Sequence, residues 1–267
     1  IIDTFTINRF GRRRFWVLIS QLMMILALFP LVFIDVNAVN FVLIALLTAH
    51  NTFVAISDIA IDALAADSLR EDQLAKANGF MWGSKTLGRG AGMATATSIF
   101  YGYGVNEGFA LLILTMSFVL ILPIFSKELD YKAGFETKLY KNRLTLYELF
   151  SGIRESLFNK SALAAMIFML FANIGYGIFD VIYNEFYISE LGWTGEEIGS
   201  MRPYGMWLGG LIGLSAGLLT LYFKRRFLLL LFVTGQAAVY LAASSFTPDT
   251  SSFFTSAVLI GVDAVDA

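Results

Sequence analysis

No cysteine occurs among the 267 residues, and histidine occurs once. The first absence excludes disulfides, thiolate metal sites and cysteine nucleophiles. The second removes the commonest transition-metal ligand, so neither a metal site nor a cofactor is expected. Charge is also scarce: Asp, Glu, Lys and Arg make up 15% of the chain, against ~25% in soluble domains. With a net charge of −2 and no exposed basic patch, nucleic acid is not an expected partner. There is no initiator Met and no signal-peptide pattern, and the chain is expected to be a piece of a longer protein.

Apolar residues are plentiful instead, at 57% with a mean hydropathy of +0.68. They gather into eight runs, at about 15–34, 39–65, 78–101, 108–126, 161–188, 198–222, 227–246 and a shorter 252–267. Most reach the ~20 residues that span a bilayer as a helix. The expected class is an all-α, multi-pass membrane protein. Sixteen of the 19 basic residues lie in alternate connectors, 1–14, 66–77, 127–160 and 223–226, and the other connectors hold none. That asymmetry orients the basic loops to the cytoplasm.

The connector 127–160 is much the longest. Leu146, Leu149, Phe150, Ile153 and Leu157 recur at helical spacing, and Thr145 with Glu148 fits a capping box. The pattern predicts a short amphipathic helix on the cytoplasmic membrane face, the alternative being a disordered tether. Either way the connector divides the chain into 1–126 and 161–267, with four runs in each. The two parts share a weak repeat. FGRRRFWVLI at 10–19 resembles FKRRFLLLLF at 223–232, and SDIAID at 57–62 is answered by GVDAVD at 261–266. Two repeated halves around a central loop are a transporter architecture with its site near the midplane.

The polar content of the runs 39–65 and 78–101 is the strongest functional signal. Ionisable groups at membrane depth cost about 2.5–3.5 kcal/mol each on insertion scales, and they face cavities or one another. The first run carries His50, Asn51, Asp58 and Asp62, with Asn51, Asp58 and Asp62 on one helical stripe. The second carries Asn78, Trp82, Lys85 and Arg89 on another. If the runs form an antiparallel hairpin turning near residue 72, Asp58 and Lys85 fall at the same depth and should pair, with Arg89 one turn deeper towards Asn51 and His50. Such a pair either lets two polar helices insert or lines a transport path. The stripe continues in both directions, which favours the path. The run 161–188 adds Asn173, Asp180 and Asn184 on one stripe, flanked by Tyr176 and Tyr187. Gly205, Gly209, Gly213 and Gly217, each four apart, should form a groove for a close helix neighbour.

Other patterns carry little. GRGAG at 88–92 lies inside an apolar run and follows no strand, so it is not read as a nucleotide loop. Asp58 and Asp62 as the paired acids of a membrane enzyme lack a partner motif, and no enzyme is expected. Asn159-Lys160-Ser161 spells a glycosylation acceptor on the expected cytoplasmic side.

Asp3 followed by Gly11, Arg12, Arg13 and Arg14, ahead of an apolar run, resembles the cytoplasmic loop motif of the major facilitator superfamily. By that resemblance the eight runs correspond to spans 3–10 of twelve, 127–160 is the central loop, and Asp3 with Arg12, Arg13 and Arg14 forms the gating loop. IIDTFTINRFGRRRFW at 1–16, SDIAIDALAAD at 57–67 and KANGFMWGSKTLGRGAG at 76–92 resemble the AmpG-type muropeptide permeases and their acetyl-coenzyme A transporter relatives. Asp58 and Asp62 match the two Asp of that family's fourth span. Thr4 and Thr86 depart from it, each standing where the family tends to have a basic residue, the latter with Lys85 one position earlier. The resemblance implies proton-driven import of a cell-wall-derived sugar-peptide across a bacterial inner membrane by a monomer in contact with lipid. The expected path comprises His50, Asn51, Asp58, Asp62, Asn78, Trp82, Lys85, Arg89, Tyr176, Asp180 and Asn184. The competing expectations are a carrier of another substrate class and a non-transporting scaffold on the same fold.

Overall fold

A computed structural model describes residues 12–34, 41–125, 151–152, 157–245 and 251–265. Among these the regular elements are helical. They are α1 (Arg12–Leu28) with a 3-10 turn (Phe29–Val32), α2 (Phe41–Ser68), α3 (Glu71–Gly102), α4 (Val105–Phe125), α5 (Lys160–Ser189), α6 (Gly195–Leu219), α7 (Arg225–Ala243) and α8 (Ser252–Val265). Each coincides with one apolar run. By length and composition Arg13–Val32, Phe41–Ser68, Val105–Phe125 and Arg226–Ala243 are long and apolar enough to cross a membrane. The amphipathic helix expected around 145–157 lies mostly outside the described residues.

One boundary differs from expectation. The charged stretch 66–77 is almost wholly helical: α2 runs to Ser68, and α3 starts at Glu71. The Gln73 side-chain oxygen accepts from the Arg70 backbone N–H at 3.3 Å, which satisfies one donor at the new helix start. Charged residues are good helix formers, so hydropathy placed the start of α3 seven residues too late.

The basic run before α1 ties helix ends together. Arg13 Nε donates to Asp67 of α2 at 2.9 Å. Arg14 Nε donates to the carbonyl of Pro123 at 2.6 Å, and its Nη2 to that of Ile124. Those carbonyls belong to the last turn of α4, which lacks intrahelical donors, and a cation there also suits the helix dipole. At the other ends, Asn106 Nδ2 of α4 donates to the carbonyls of Val32 and Ile34 at 2.9 and 3.2 Å. The start of α1 therefore shares a face with the ends of α2 and α4, as alternating spans require.

Two packing units emerge. α1 packs on α2 and α4 in the first part of the chain. In the second, Tyr183 and Tyr187 of α5 bury against Ile198 of α6, Ala243 of α7 and Val258, Leu259 and Val262 of α8. The Tyr187 hydroxyl donates to the Thr255 carbonyl at 2.5 Å. The units meet along α3 and α6, which run antiparallel in contact from Gly79 and Gly217 to Tyr101 and Gly195.

That seam is made possible by glycine. A Cβ on Gly79 would lie 2.8 Å from the Gly217 nitrogen, and one on Gly83 2.5 Å from the Leu214 nitrogen. The groove expected on α6 is thus real but divided. Gly213 faces Gly83 and Gly217 faces Gly79 on α3, whereas a Cβ on Gly205 would meet Ile260 and Asp263 of α8.

Candidate functional site

The residue stripes of α2 and α3 are where the sequence placed them, but the hairpin is not packed as expected. α2 lies mainly on α1, α3 mainly on α6, and the two touch each other little. The small face of α3 (Gly79, Gly83, Gly90) is taken by α6, so its polar stripe turns aside from α2. The long Lys85 side chain bridges the gap. Its Nζ donates to Asp58 Oδ2 at 2.5 Å and stands 5.1 Å from the centre of the Trp82 ring. Matched depth thus predicts the pair correctly, although the helices bearing it are splayed.

Both partners are partly exposed, at 39% for Lys85 and 41% for Asp58. Around them Asn51, Asp62, Asn78 and Arg89 are exposed, and none makes a hydrogen bond or ion pair with another described residue. A Cβ on Gly88 or Gly92 would meet nothing within 4 Å. The stripe therefore borders open space. His50 departs from the set: its Nδ1 lies 3.4 Å from the Met24 carbonyl of α1, which turns the ring towards that helix. Asp3 and the side chains of Arg12 and Tyr176 lie outside the described residues.

In the second unit Asp180 does not stand alone. Arg202 of α6 holds it and Asp263 of α8 at once. Arg202 Nε lies 3.1 and 3.2 Å from the two Asp263 oxygens, and its Nη2 donates to Asp263 Oδ1 and Asp180 Oδ1, each at 2.9 Å. Asp263 is 3% exposed and Asp180 38%. Asn184 Nδ2 donates to the Asp180 backbone carbonyl at 2.8 Å, one turn back on the same helix. Sequence reasoning passed over Arg202 and Asp263 as site residues. The available signal was that Arg202 is the single basic residue within the later apolar runs, and a lone guanidinium there requires acids at its own depth.

The fold is thus that of an all-α, multi-pass membrane protein, with an open stripe of ionisable groups in one unit and an ion cluster in the other. The sequence profile of the Major Facilitator Superfamily matches residues 2–265, and the chain belongs to that superfamily of secondary transporters. No curated protein and no solved structure matches the chain.

The Asp58–Lys85 pair makes a direct test possible. Asp58→Asn is expected to reduce uptake by the full-length carrier strongly, because it leaves the Lys85 ammonium unpaired at membrane depth. Adding Lys85→Met removes that charge too and should cost little more. Losses that simply multiply in the double variant would show that the two side chains act independently.

Proposed function

We propose that this chain forms the central part of a proton-coupled importer for an anionic sugar-peptide of the cell-wall-derived kind, with 1–126 and 161–267 as parts of two bundles joined by 127–160. The basic loops face the cytoplasm, and the membrane is the bacterial inner membrane. The observation that carries the reading is the exposed Arg89, without an ion-pair partner among the described residues, beside the Lys85–Asp58 pair. A scaffold would have every membrane charge compensated internally. A carrier leaves a cation for its solute.

Arg89 supplies a planar fork for a carboxylate of the solute. Trp82, about two turns nearer the start of α3 on the same stripe, presents an exposed ring suited to the apolar face of a sugar. The likeness of 57–67 and 76–92 to the muropeptide permeases supports the substrate class, and the buried and half-buried carboxylates support protons as the coupling ion.

Uptake of a radiolabelled disaccharide-peptide into liposomes containing the full-length carrier tests the proposal. Acidifying the outside should accelerate uptake, and replacing sodium by potassium should not alter it. Uptake that ignores the pH step but follows sodium would reject proton coupling. Transport of an unrelated solute in place of the sugar-peptide would reject the substrate class and leave the family assignment standing.

A further inference from the structure

The open stripe of α2 and α3 holds two charges that the Asp58–Lys85 pair does not use, and they are of opposite sign. Asp58 and Lys85 meet at 2.5 Å, so one acid and one base close on each other and the pair is neutral. Asp62 and Arg89 are exposed. Neither has an ion-pair or hydrogen-bond partner among the described residues.

Their separation follows from the pair. Asp62 is four residues beyond Asp58 on α2, and Arg89 is four beyond Lys85 on α3, so each keeps nearly the direction of its neighbour in the pair. α2 runs towards the connection at 69–70, whereas α3 runs away from it. The same step of four residues therefore leads in opposite directions. At 1.5 Å per residue Asp62 lies ~6 Å from the pair towards the connection, and Arg89 ~6 Å from it the other way. The carboxylate and the guanidinium are thus roughly 12 Å apart along the stripe, too far to bond each other. An isolated charge at membrane depth is costly, and each of these calls for an opposite charge from elsewhere.

The space beside them can receive one. A Cβ on Gly88, next to Arg89, would meet nothing within 4 Å. The Trp82 ring has the Lys85 ammonium 5.1 Å from its centre and is still 56% exposed. It lies three residues from Lys85 on the side of the connection, between the two charges and nearer Asp62.

We infer that the solute of this site carries a cationic group as well as an anionic one, an ammonium on Asp62 and a carboxylate on Arg89. This rests on the sugar-peptide reading above and narrows it to a sugar-peptide with a free amine. An extended peptide advances ~3.3–3.6 Å per residue, so about three or four residues span the two groups. The amine lies at the end where the sugar meets Trp82, and the carboxylate lies at the end away from the connection. A carboxylate alone would leave Asp62 uncompensated, and an ammonium alone would leave Arg89 so. The order of the two charges along the stripe therefore fixes the orientation of the solute. Asp58 and Lys85 do not compete for it, because each already holds the other.

The experiment uses the full-length carrier in liposomes and a radiolabelled disaccharide-tetrapeptide. The peptide has one free amine, on the residue next to the sugar, and one free carboxylate, at its far end. Unlabelled free, amine-acetylated and carboxyl-amidated forms compete for its uptake. In wild type, acetylating the amine is expected to weaken competition about tenfold, and amidating the carboxylate by a similar factor. Asp62→Asn should weaken the free form by the same factor and take the free and acetylated forms alike, while still preferring the carboxylate to the amide. Arg89→Gln should give the mirror pattern. Equal competition by the free and acetylated forms in wild type, which needs no variant to fold, overturns the inference alone. An Asp62→Asn carrier that keeps the preference for the free amine overturns it too. Wild type that does not take up the free form overturns the sugar-peptide reading and this inference with it.

Discussion

Gly83→Leu is expected to abolish uptake and to lower the melting temperature of the purified carrier, while Gly92→Ala changes neither appreciably. Both glycines lie within α3, yet their surroundings are opposite. A Cβ on Gly83 would stand 2.5 Å from the Leu214 nitrogen and 2.7 Å from the Gly210 carbonyl oxygen. These are backbone atoms of α6 and cannot rotate away, so any side chain must push the helices apart. Forced overpacking costs about 1–3 kcal/mol in ordinary cores. Here the displacement also loosens the flanking contacts at Gly79 and Gly90, which places the effect at the upper end. At Gly92 a Cβ meets nothing within 4 Å, and alanine is the better helix former by up to about 1 kcal/mol. A Gly83→Leu protein with the melting temperature and uptake of wild type would show that the α3–α6 seam is not closed in the working carrier.

The second large effect belongs to Arg202. Arg202→Met takes the guanidinium away from the Asp263 carboxylate, which is 3% exposed. Breaking a buried pair from one side costs about 3–5 kcal/mol, because the surviving charge stays desolvated. Adding Asp263→Asn removes that charge and should recover a large part of the loss. Arg202→Lys should recover less than a conservative exchange would suggest. An ammonium offers one point of contact where the guanidinium uses Nε and Nη2 together. Thermal unfolding of the two single variants and the double variant measures the coupling. If the losses of Arg202→Met and Asp263→Asn add, the two residues do not hold each other.

What the sequence made legible follows from what one-dimensional periodicity can encode. Depth is encoded, because rise per residue is fixed, and the Asp58–Lys85 pair was found that way. Facing is encoded as far as the stripe. Asn51, Asp62, Asn78 and Arg89 do share open faces, but nothing in their spacing says which neighbour each helix will choose. Glycine decides that choice. Gly79 and Gly83 offer α3 a flat strip, and close backbone approach to α6 outweighs packing on the adjacent α2. The same limit explains Arg202. Its partners Asp180 and Asp263 lie on α5 and α8, and only the folded bundle makes three distant positions into one cluster. The start of α3 was misjudged for a different reason: hydropathy measures the membrane, not the helix, and Glu71–Ala77 is helix beyond the apolar layer.

The α3–α6 seam also bears on how the chain is made. The glycine face of α3 is complete once Gly102 has left the ribosome, but its cover ends at Leu219. At 5–20 residues per second, the interval is roughly 6–23 s. Throughout that time the strip can meet lipid, the insertion machinery or a chaperone, but not its native neighbour. The first four helices are therefore left with an unfinished surface during synthesis. The two packing units therefore mature as one object whose completion waits for α6.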